Sequence, residues 1–289
     1  MTTVSPRQQQ QAEALHHLHH GGRGPLVLVN AWDAASARLL ERAGAGAIAT
    51  TSAGMAWSLG YPDGEQVPRD EFVAACARIA RVVGDAVPVS VDIERGFGRG
   101  VGHDIDEVCA LVCTLIELGV VGINIEDGIE PETRRLRPPD VLCERIAALR
   151  ALATRMGLRL FINARTDVYV AAADDPARRY DEALQRAQAY ARAGADGIFV
   201  PGLDRLDDIA RFAQAIEGLP LNVYAGYPGV PGVSELAAAG ARRISLGCGP
   251  LQSALGLLSR IADETHALGR YDAMTHGMAS ASELNRLFA

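Results

Sequence analysis

The chain has 289 residues, 48% of them hydrophobic, with a formal net charge of −7 at pH 7. That is enough apolar material for one large α/β domain or two small ones. No apolar run approaches the roughly 20 residues of a membrane helix, the first residues lack the charged-then-apolar order of a leader, and there is no basic stripe, so a cytoplasmic protein with neither membrane nor nucleic-acid partner is expected.

Five scattered cysteines with no C-x-x-C pair (Cys76, Cys109, Cys113, Cys143, Cys248) argue for reduced thiols rather than a disulfide framework or zinc knuckle. Lysine is absent, and all 28 Lys/Arg positions are arginine. A Schiff-base mechanism through a lysine amine and a P-loop are therefore excluded.

Residues 1–24, with HHLHH at 16–20, read as an added N-terminal helix whose histidines form a polar face or a loose terminus. Eight short apolar runs follow: PLVLVN (25–30), AGAGAIAT (from Ala43), PVSVDIE (88–94), LGVVGINI (from Leu118), LFINAR (160–165), AGADGIFV (from Ala193), LNVYAG (221–226) and AGARRISL (from Ala239). Between them lie stretches of helical period, among them 104–118, 140–156 and 177–193. Gly44, Gly119, Gly194 and Gly240 each stand between a helix and an apolar run, 75, 75 and 46 residues apart, a spacing that repeated βα units produce. Runs so apolar indicate parallel strands buried on both faces. Eight of them predict a (β/α)8 TIM barrel as one domain spanning 1–289, with 269–289 a C-terminal helical extension.

Catalytic groups of such a barrel stand at the C-terminal strand ends. There the sequence offers Thr51 and Ser52 after strand 2, Asp92 and Glu94 after strand 3, Glu126 and Asp127 after strand 4, Arg165 and Asp167 after strand 5, and Tyr224 on strand 7. Asp92, Glu94 and Glu126 on one mouth would repel one another unless a cation joined them, and an all-oxygen set without histidine suits Mg2+ or Mn2+. Arg165 is placed to grip a substrate carboxylate with its planar fork.

These residues resemble the isocitrate lyase and phosphoenolpyruvate mutase superfamily over residues 25–265. Its strand 3 signature D-x-D-x-G-[FY]-G is similar to DIERGFG at 92–98, with the second acid lengthened to Glu94. Its I-E-D matches Ile125-Glu126-Asp127, its A-R-T-[DE] matches Ala164-Arg165-Thr166-Asp167, and its strand 2 loop matches TSAGMAWSLGYPD at 51–63. The resemblance implies that Asp92 anchors Mg2+ with Glu94 and Glu126 around it, that Thr51, Ser52 and Ala53 offer donors to a 2-oxo acid, that Arg165 contacts its carboxylate, and that Asp63 is a catalytic or gating acid. It implies enolate chemistry on a small 2-oxo acid or dicarboxylate, and a homotetramer exchanging a C-terminal helix.

One loop departs from the pattern. Where the superfamily's isocitrate and methylisocitrate lyases carry K-[KR]-C-G-H, this chain has GIEPETRRLRPP at 128–139, without cysteine, histidine or lysine. Glu132 stands near the lysine of the mutases and Arg134 near their asparagine, which makes Glu132 the candidate acid/base and Arg134 a candidate clamp for a distal anion. The expected activity is C–C lysis or decarboxylation releasing pyruvate or a related 2-oxo acid. The alternatives are a P–C bond enzyme (a phosphonomutase or phosphonopyruvate hydrolase) and a non-catalytic 2-oxo acid binder.

Overall fold

The eight apolar runs form eight parallel strands, β1 (Leu26–Leu28), β2 (Ile48–Ala49), β3 (Val89–Asp92), β4 (Gly122–Glu126), β5 (Phe161–Arg165), β6 (Gly197–Phe199), β7 (Leu221–Tyr224) and β8 (Ala241–Ser245). The computed structural model describes residues 4–21, 24–98, 105–130, 132–171, 175–216 and 218–289. The strands pair in the order β1-β8-β7-β6-β5-β4-β3-β2. The last seam, β1 to β2, is closed by a single parallel bridge between Ala31 and Thr50, through Ala31 N donating to Ala49 O (2.8 Å) and Thr51 N to Ala31 O (3.0 Å). This is the (β/α)8 barrel.

Around and between the strands run α1 (Pro6–His20), α2 (Ala34–Arg42), α3 (Ser52–Ser58), α4 (Arg69–Val83), α5 (Ile105–Glu117), α6 (Pro139–Met156), α7 (Arg179–Ala193), α8 (Leu206–Ala215), α9 (Val233–Ala238) and α10 (Gly249–Leu268). The short α11 (Asp272–Thr275) and α12 (Ala281–Leu287) make up the C-terminal extension. The repeated glycines have a common duty. Gly44, Gly119, Gly194 and Gly240 adopt φ of +91°, +97°, +113° and +99°, the region in which a Cβ is strained, and so turn each helix into the next strand.

The strands are not apolar on both faces. Along β3, β4, β5, β7 and β8 every second side chain is polar from the middle of the strand upward: Ser90 and Asp92, Asn124 and Glu126, Asn163 and Arg165, Asn222 and Tyr224, Arg243 and Ser245. Ile123, Ile125, Ile162, Ala164, Val223 and Ile244 alternate with them and are buried in the apolar core. Polar groups inside a barrel must find partners. Asn163 Nδ2 donates to Asn124 Oδ1 (2.9 Å), and Asn124 Nδ2 in turn to Asp92 Oδ1 (2.9 Å), so a chain of amides leads upward to the carboxylate at the strand end.

The lower end of the barrel is stoppered by α1, and here the histidine expectation is corrected. His17 and His20 are exposed, but His16 and His19 are buried. The His19 ring stacks on Phe161 with centroids 3.9 Å apart, and its Nδ1 lies 2.7 Å from Leu15 O. Leu15 inserts where a side chain at Gly122 would meet it at 2.6 Å, which is why this strand starts with glycine. Helical period brings Leu15, His16 and His19 onto one face, and the apolar barrel end outweighs their polarity.

Burial, followed by the fields of Arg243 and of the neighbouring histidines, lowers the His19 pKa to about 3. The unfolded chain, with an ordinary imidazole near 6.5, binds a proton that the folded chain refuses, so this contribution is fully present above pH 6.5 and is lost as pH falls toward 3. Urea unfolding at pH 7 and pH 5 should show wild type losing about 2 kcal/mol more than His19→Leu over that interval. Equal losses in the two proteins would contradict the buried neutral histidine.

Candidate active site

A cavity of about 390 Å³ opens at the C-terminal strand ends, lined by Asn30, Thr50, Thr51, Ser52, Ala53, Asp63, Asp92, Asn124, Arg165, Phe199, Tyr224, Arg243, Ser245 and Cys248, among others. Of the residues expected from the sequence it gathers Thr51, Ser52, Ala53, Asp63, Asp92, Arg165 and Tyr224. Glu94 and Glu126 stand behind this lining. Glu132 and Arg134 are exposed on their loop and do not line the cavity.

Asp92 is held from three sides. Ser52 N donates to its Oδ2 (3.2 Å), Asn124 Nδ2 and Glu94 N to its Oδ1 (2.9 and 3.4 Å), while its own backbone N–H donates to Thr50 Oγ1 (2.9 Å). The carboxylate is thereby fixed by the start of α3, by β4 and by the turn that follows β3. Ser52 begins α3, whose N-cap is Thr51.

Glu94 lies in a strained turn. Its φ is +49°, Gly96 follows at +107° and Phe97 at +56°, and side chains other than glycine take up this region at a cost of roughly 1–3 kcal/mol. Glu65 holds the turn together: Arg95 N and Phe97 N donate to its Oε1 (3.0 and 2.7 Å), and the Arg95 guanidinium pairs with its Oε2 (2.8 Å). From behind, Arg145 Nη1 donates to Arg95 O (2.6 Å). Burial, then repulsion from Asp92, Asp63 and Glu65, pushes the Glu94 carboxyl up to about 8.

Arg165 rests between two acids, its Nη1 3.2 Å from Glu126 and its Nε 2.7 Å from Asp167, with its guanidinium carbon 5.7 Å from the Phe199 ring centroid. Burial alone would lower its pKa, but Asp167, Glu126 and Asp92 outweigh that and raise it. Glu126 is raised well above the carboxylate range, first by burial, against the opposing pull of Arg165. At the rim, Asp63 remains exposed, yet partial desolvation and the Asp92 charge raise its pKa. Tyr224 OH stands 3.8 Å from Cys248 Sγ, and burial, then the neighbouring thiol, pushes it up to about 12, so it is a neutral hydroxyl at pH 7.

Among the described residues, no three acid, histidine or cysteine side chains stand close enough to hold one ion by themselves. The donor chemistry nevertheless fits a hard divalent cation. An oriented carboxylate stands beside two further acids pushed upward by burial and mutual charge, an arrangement that water-rich Mg2+ coordination through one or two carboxylates would relieve.

Asp127, beside Glu126, turns away from the cavity. It accepts from Thr166 Oγ1 (2.6 Å), Asp167 N (3.0 Å), Tyr190 OH (2.9 Å) and Arg186 Nη1 (3.2 Å), tying β4 and β5 to α7. Two residues the sequence reading missed complete the frame. Besides Glu65, Asn30 donates from Nδ2 to Thr50 O (2.8 Å) and accepts from Gly247 N (2.8 Å), joining the tops of β1, β2 and β8.

Comparisons with known proteins identify the family. Residues 15–266 match the phosphoenolpyruvate phosphomutase family profile, and the chain belongs to that family, within the superfamily of isocitrate lyases and phosphoenolpyruvate mutases. An uncharacterized protein of Mycobacterium tuberculosis H37Rv is 35% identical over 247 residues, covering 84% of each chain. The 2,3-dimethylmalate lyase of Eubacterium barkeri is 32% identical over 203 residues, 68% of this chain and 65% of that one. Among solved structures, a lyase or mutase candidate from Burkholderia cenocepacia J2315 superposes with a TM-score of 0.87 at 35% identity, covering 99% and 98% of the two chains.

Removing the charge of Asp127 takes a buried carboxylate from four donors and leaves Arg186 only its half-exposed partner Glu182, and loss of a buried charged partner costs up to about 3–5 kcal/mol. Asp127→Asn should lower stability toward that range in urea unfolding while leaving the cavity residues chemically unchanged. A loss below about 1 kcal/mol would contradict the role given to Asp127.

Proposed function

We propose that the protein is a divalent-ion-dependent C–C lyase or decarboxylase that releases pyruvate or a close 2-oxo acid from a small dicarboxylate. The observation that carries this reading is Asp92, fixed by Ser52 N and Asn124 Nδ2 at the edge of a cavity that Arg165, two strands along the ring, also lines. Asp92 would hold Mg2+ or Mn2+, with Glu94 and Glu126 reaching it directly or through water. When bound, the ion supplies Lewis-acid stabilisation of the negative charge that develops on the 2-oxo oxygen.

The chain's own groups do the rest. N–H groups of Arg165 not engaged by Glu126 and Asp167 receive the substrate carboxylate, and Thr51, Ser52 and Ala53 confine the 2-oxo end. In a decarboxylation the bond to the departing carboxylate breaks, its electron pair passes into the enolate of the 2-oxo acid, CO2 leaves, and a proton is added to the carbon that lost it. Tyr224, neutral at working pH, and Asp63 at the rim are the groups placed to supply or relay that proton. Glu132 and Arg134 take part in this reading only with their loop moved over the mouth. The P–C alternative has a point in its favour in the family's own description, but this chain's loop lacks the lysine and asparagine that the mutases bring to a phosphoryl group.

A coupled dehydrogenase should detect 2-oxo acid release from substituted malates or oxaloacetate and none from phosphonopyruvate. Asp92→Ala should abolish Mg2+-dependent oxalate binding in calorimetry. Turnover of phosphonopyruvate with the diacids inert would give the P–C reading precedence, and tight oxalate binding with both panels silent would indicate a binding protein.

We also propose that several copies assemble, as a homotetramer, through the C-terminal helices. Leu258 (59% exposed), Leu268 (67%) and Met278 (64%) lie on α10 and the segments after it, and large apolar side chains in such number mark association surfaces. Light scattering at micromolar concentration should give a multiple of the 30.6 kDa chain. A monomer would refute it.

A further inference from the structure

Arg243 is the cation that the proposed reaction leaves without a task. It lies in the barrel interior on β8, 3% exposed, and lines the cavity. Its Nε donates to Ser245 Oγ (3.1 Å), one alternation higher on the same strand, which directs the guanidinium toward the cavity rather than the barrel's lower end. Its Nη1 is buried with no hydrogen-bond partner, and Arg243 forms no ion pair among the described residues. Its register partner on β7, Asn222, likewise has a buried Nδ2 with no acceptor.

Two buried donors side by side with no acceptor call for a ligand or water that accepts, and one of them is charged. Of the other buried arginines, Arg186 is paired with Asp127 and Glu182, while Arg145 donates to Arg95 O and does not line the cavity; the half-buried Arg165 is paired with Glu126 and Asp167. The carboxylate whose field reaches Arg243 is Asp92, which is already committed to Asn124 and Ser52 N. Burial lowers the guanidinium only to about 10, so it remains cationic at neutral pH.

β8 and β5 stand three strands apart in an eight-stranded ring, so Arg243 and Arg165 approach the cavity from opposing walls and at different heights. We propose that Arg243 is a specificity-determining residue that receives a second carboxylate of the substrate on the cavity floor, while the 2-oxo carboxylate end is held at Arg165 and the Thr51–Ala53 turn. This rests on the dicarboxylate reading above and deepens it. Selection of substrates that carry a second, distal carboxylate is then built into the barrel interior and does not wait for Arg134 on the outer loop. The planar fork matches a carboxylate bidentately.

The test is calorimetry with Mg2+ on the full chain and its Arg243→Met and Arg243→Lys variants. The ligands are oxalate, pyruvate, phosphonopyruvate and a set of four- and five-carbon diacids. Arg243→Met should weaken the diacids at least thirtyfold while oxalate and pyruvate change less than threefold, and Arg243→Lys should recover part of the loss. Folding is checked separately: an unpaired buried charge is removed, so the Met variant should unfold at the same or higher urea concentration. Equal weakening of oxalate and diacids, no change in either, or a larger effect on phosphonopyruvate than on the diacids would each overturn the assignment. Should wild type bind diacids through Arg243 without turning them over, the lyase reading falls and this one stands. Diacid turnover that Arg243→Met leaves untouched would do the reverse, sparing the lyase reading and removing Arg243 from substrate selection.

Discussion

The crowding of like charge at one mouth governs how this barrel is built. Asp63, Asp92, Glu94 and Glu126 meet at the ends of neighbouring elements, and each raises the cost of ionising another. What makes the arrangement tolerable is that Asp63 stays exposed at the rim and the other three acids are restrained separately. Asp92 is gripped by an amide chain that begins at Asn163, Glu94 sits in a turn tied down by Glu65, and Glu126 leans on Arg165. The polar interior of the strands is therefore the scaffold of the site rather than a defect in the core. A second set of contacts, centred on Asp127, anchors the same strand ends outward to α7 without entering the cavity.

Much of this was legible in the residues. The glycines spaced by βα units, the eight apolar runs and the acids at strand ends lead directly to the barrel and to the end at which the cavity opens. Thr51, Ser52, Asp92, Arg165 and Tyr224 were reachable because chain direction fixes which strand ends share a face, whereas Asp63, in the loop after α3, came only from the family resemblance. Arg243, Asn222 and Asn124 were visible as well, as polar residues at every second place within LNVY, ARRIS and GINIE, but a run dominated by isoleucine and valine hides that alternation. Glu65 was not legible. Its role depends on the positive φ of Glu65, Glu94 and Phe97, which bring two loops together, and no periodicity encodes such turns. The buried pair His16 and His19 was missed for the opposite reason, since local polarity argued for solvent and only the open barrel end overrode it.

The loop at 128–137 illustrates a division of labour. Among its described residues, a bridge between Ile129 and Leu136 and an ion pair from Arg137 to Glu130 (3.0 Å) join its two ends without a contact to the cavity lining. Such a loop can vary in chemistry among relatives without disturbing the carboxylates beneath. The lysine, cysteine and histidine absent from it therefore alter what is done to a substrate more readily than whether the barrel stands.

The closure of the barrel by one bridge between Ala31 and Thr50 has a mechanical side. Neighbouring pairs are sewn along ladders of up to five residues, such as β4 with β5, whereas β1 and β2 share two backbone hydrogen bonds reinforced by Asn30. A cylinder with one thin stave opens there first, so the amides of Ala31 and Thr51 should exchange with solvent deuterium sooner than those inside β4 or β5. The same line runs past Thr51, Ser52 and Gly247, so a ligand seated in the cavity spans it like a rivet. Occupancy would then be recorded as slowed exchange along a single seam of the ring.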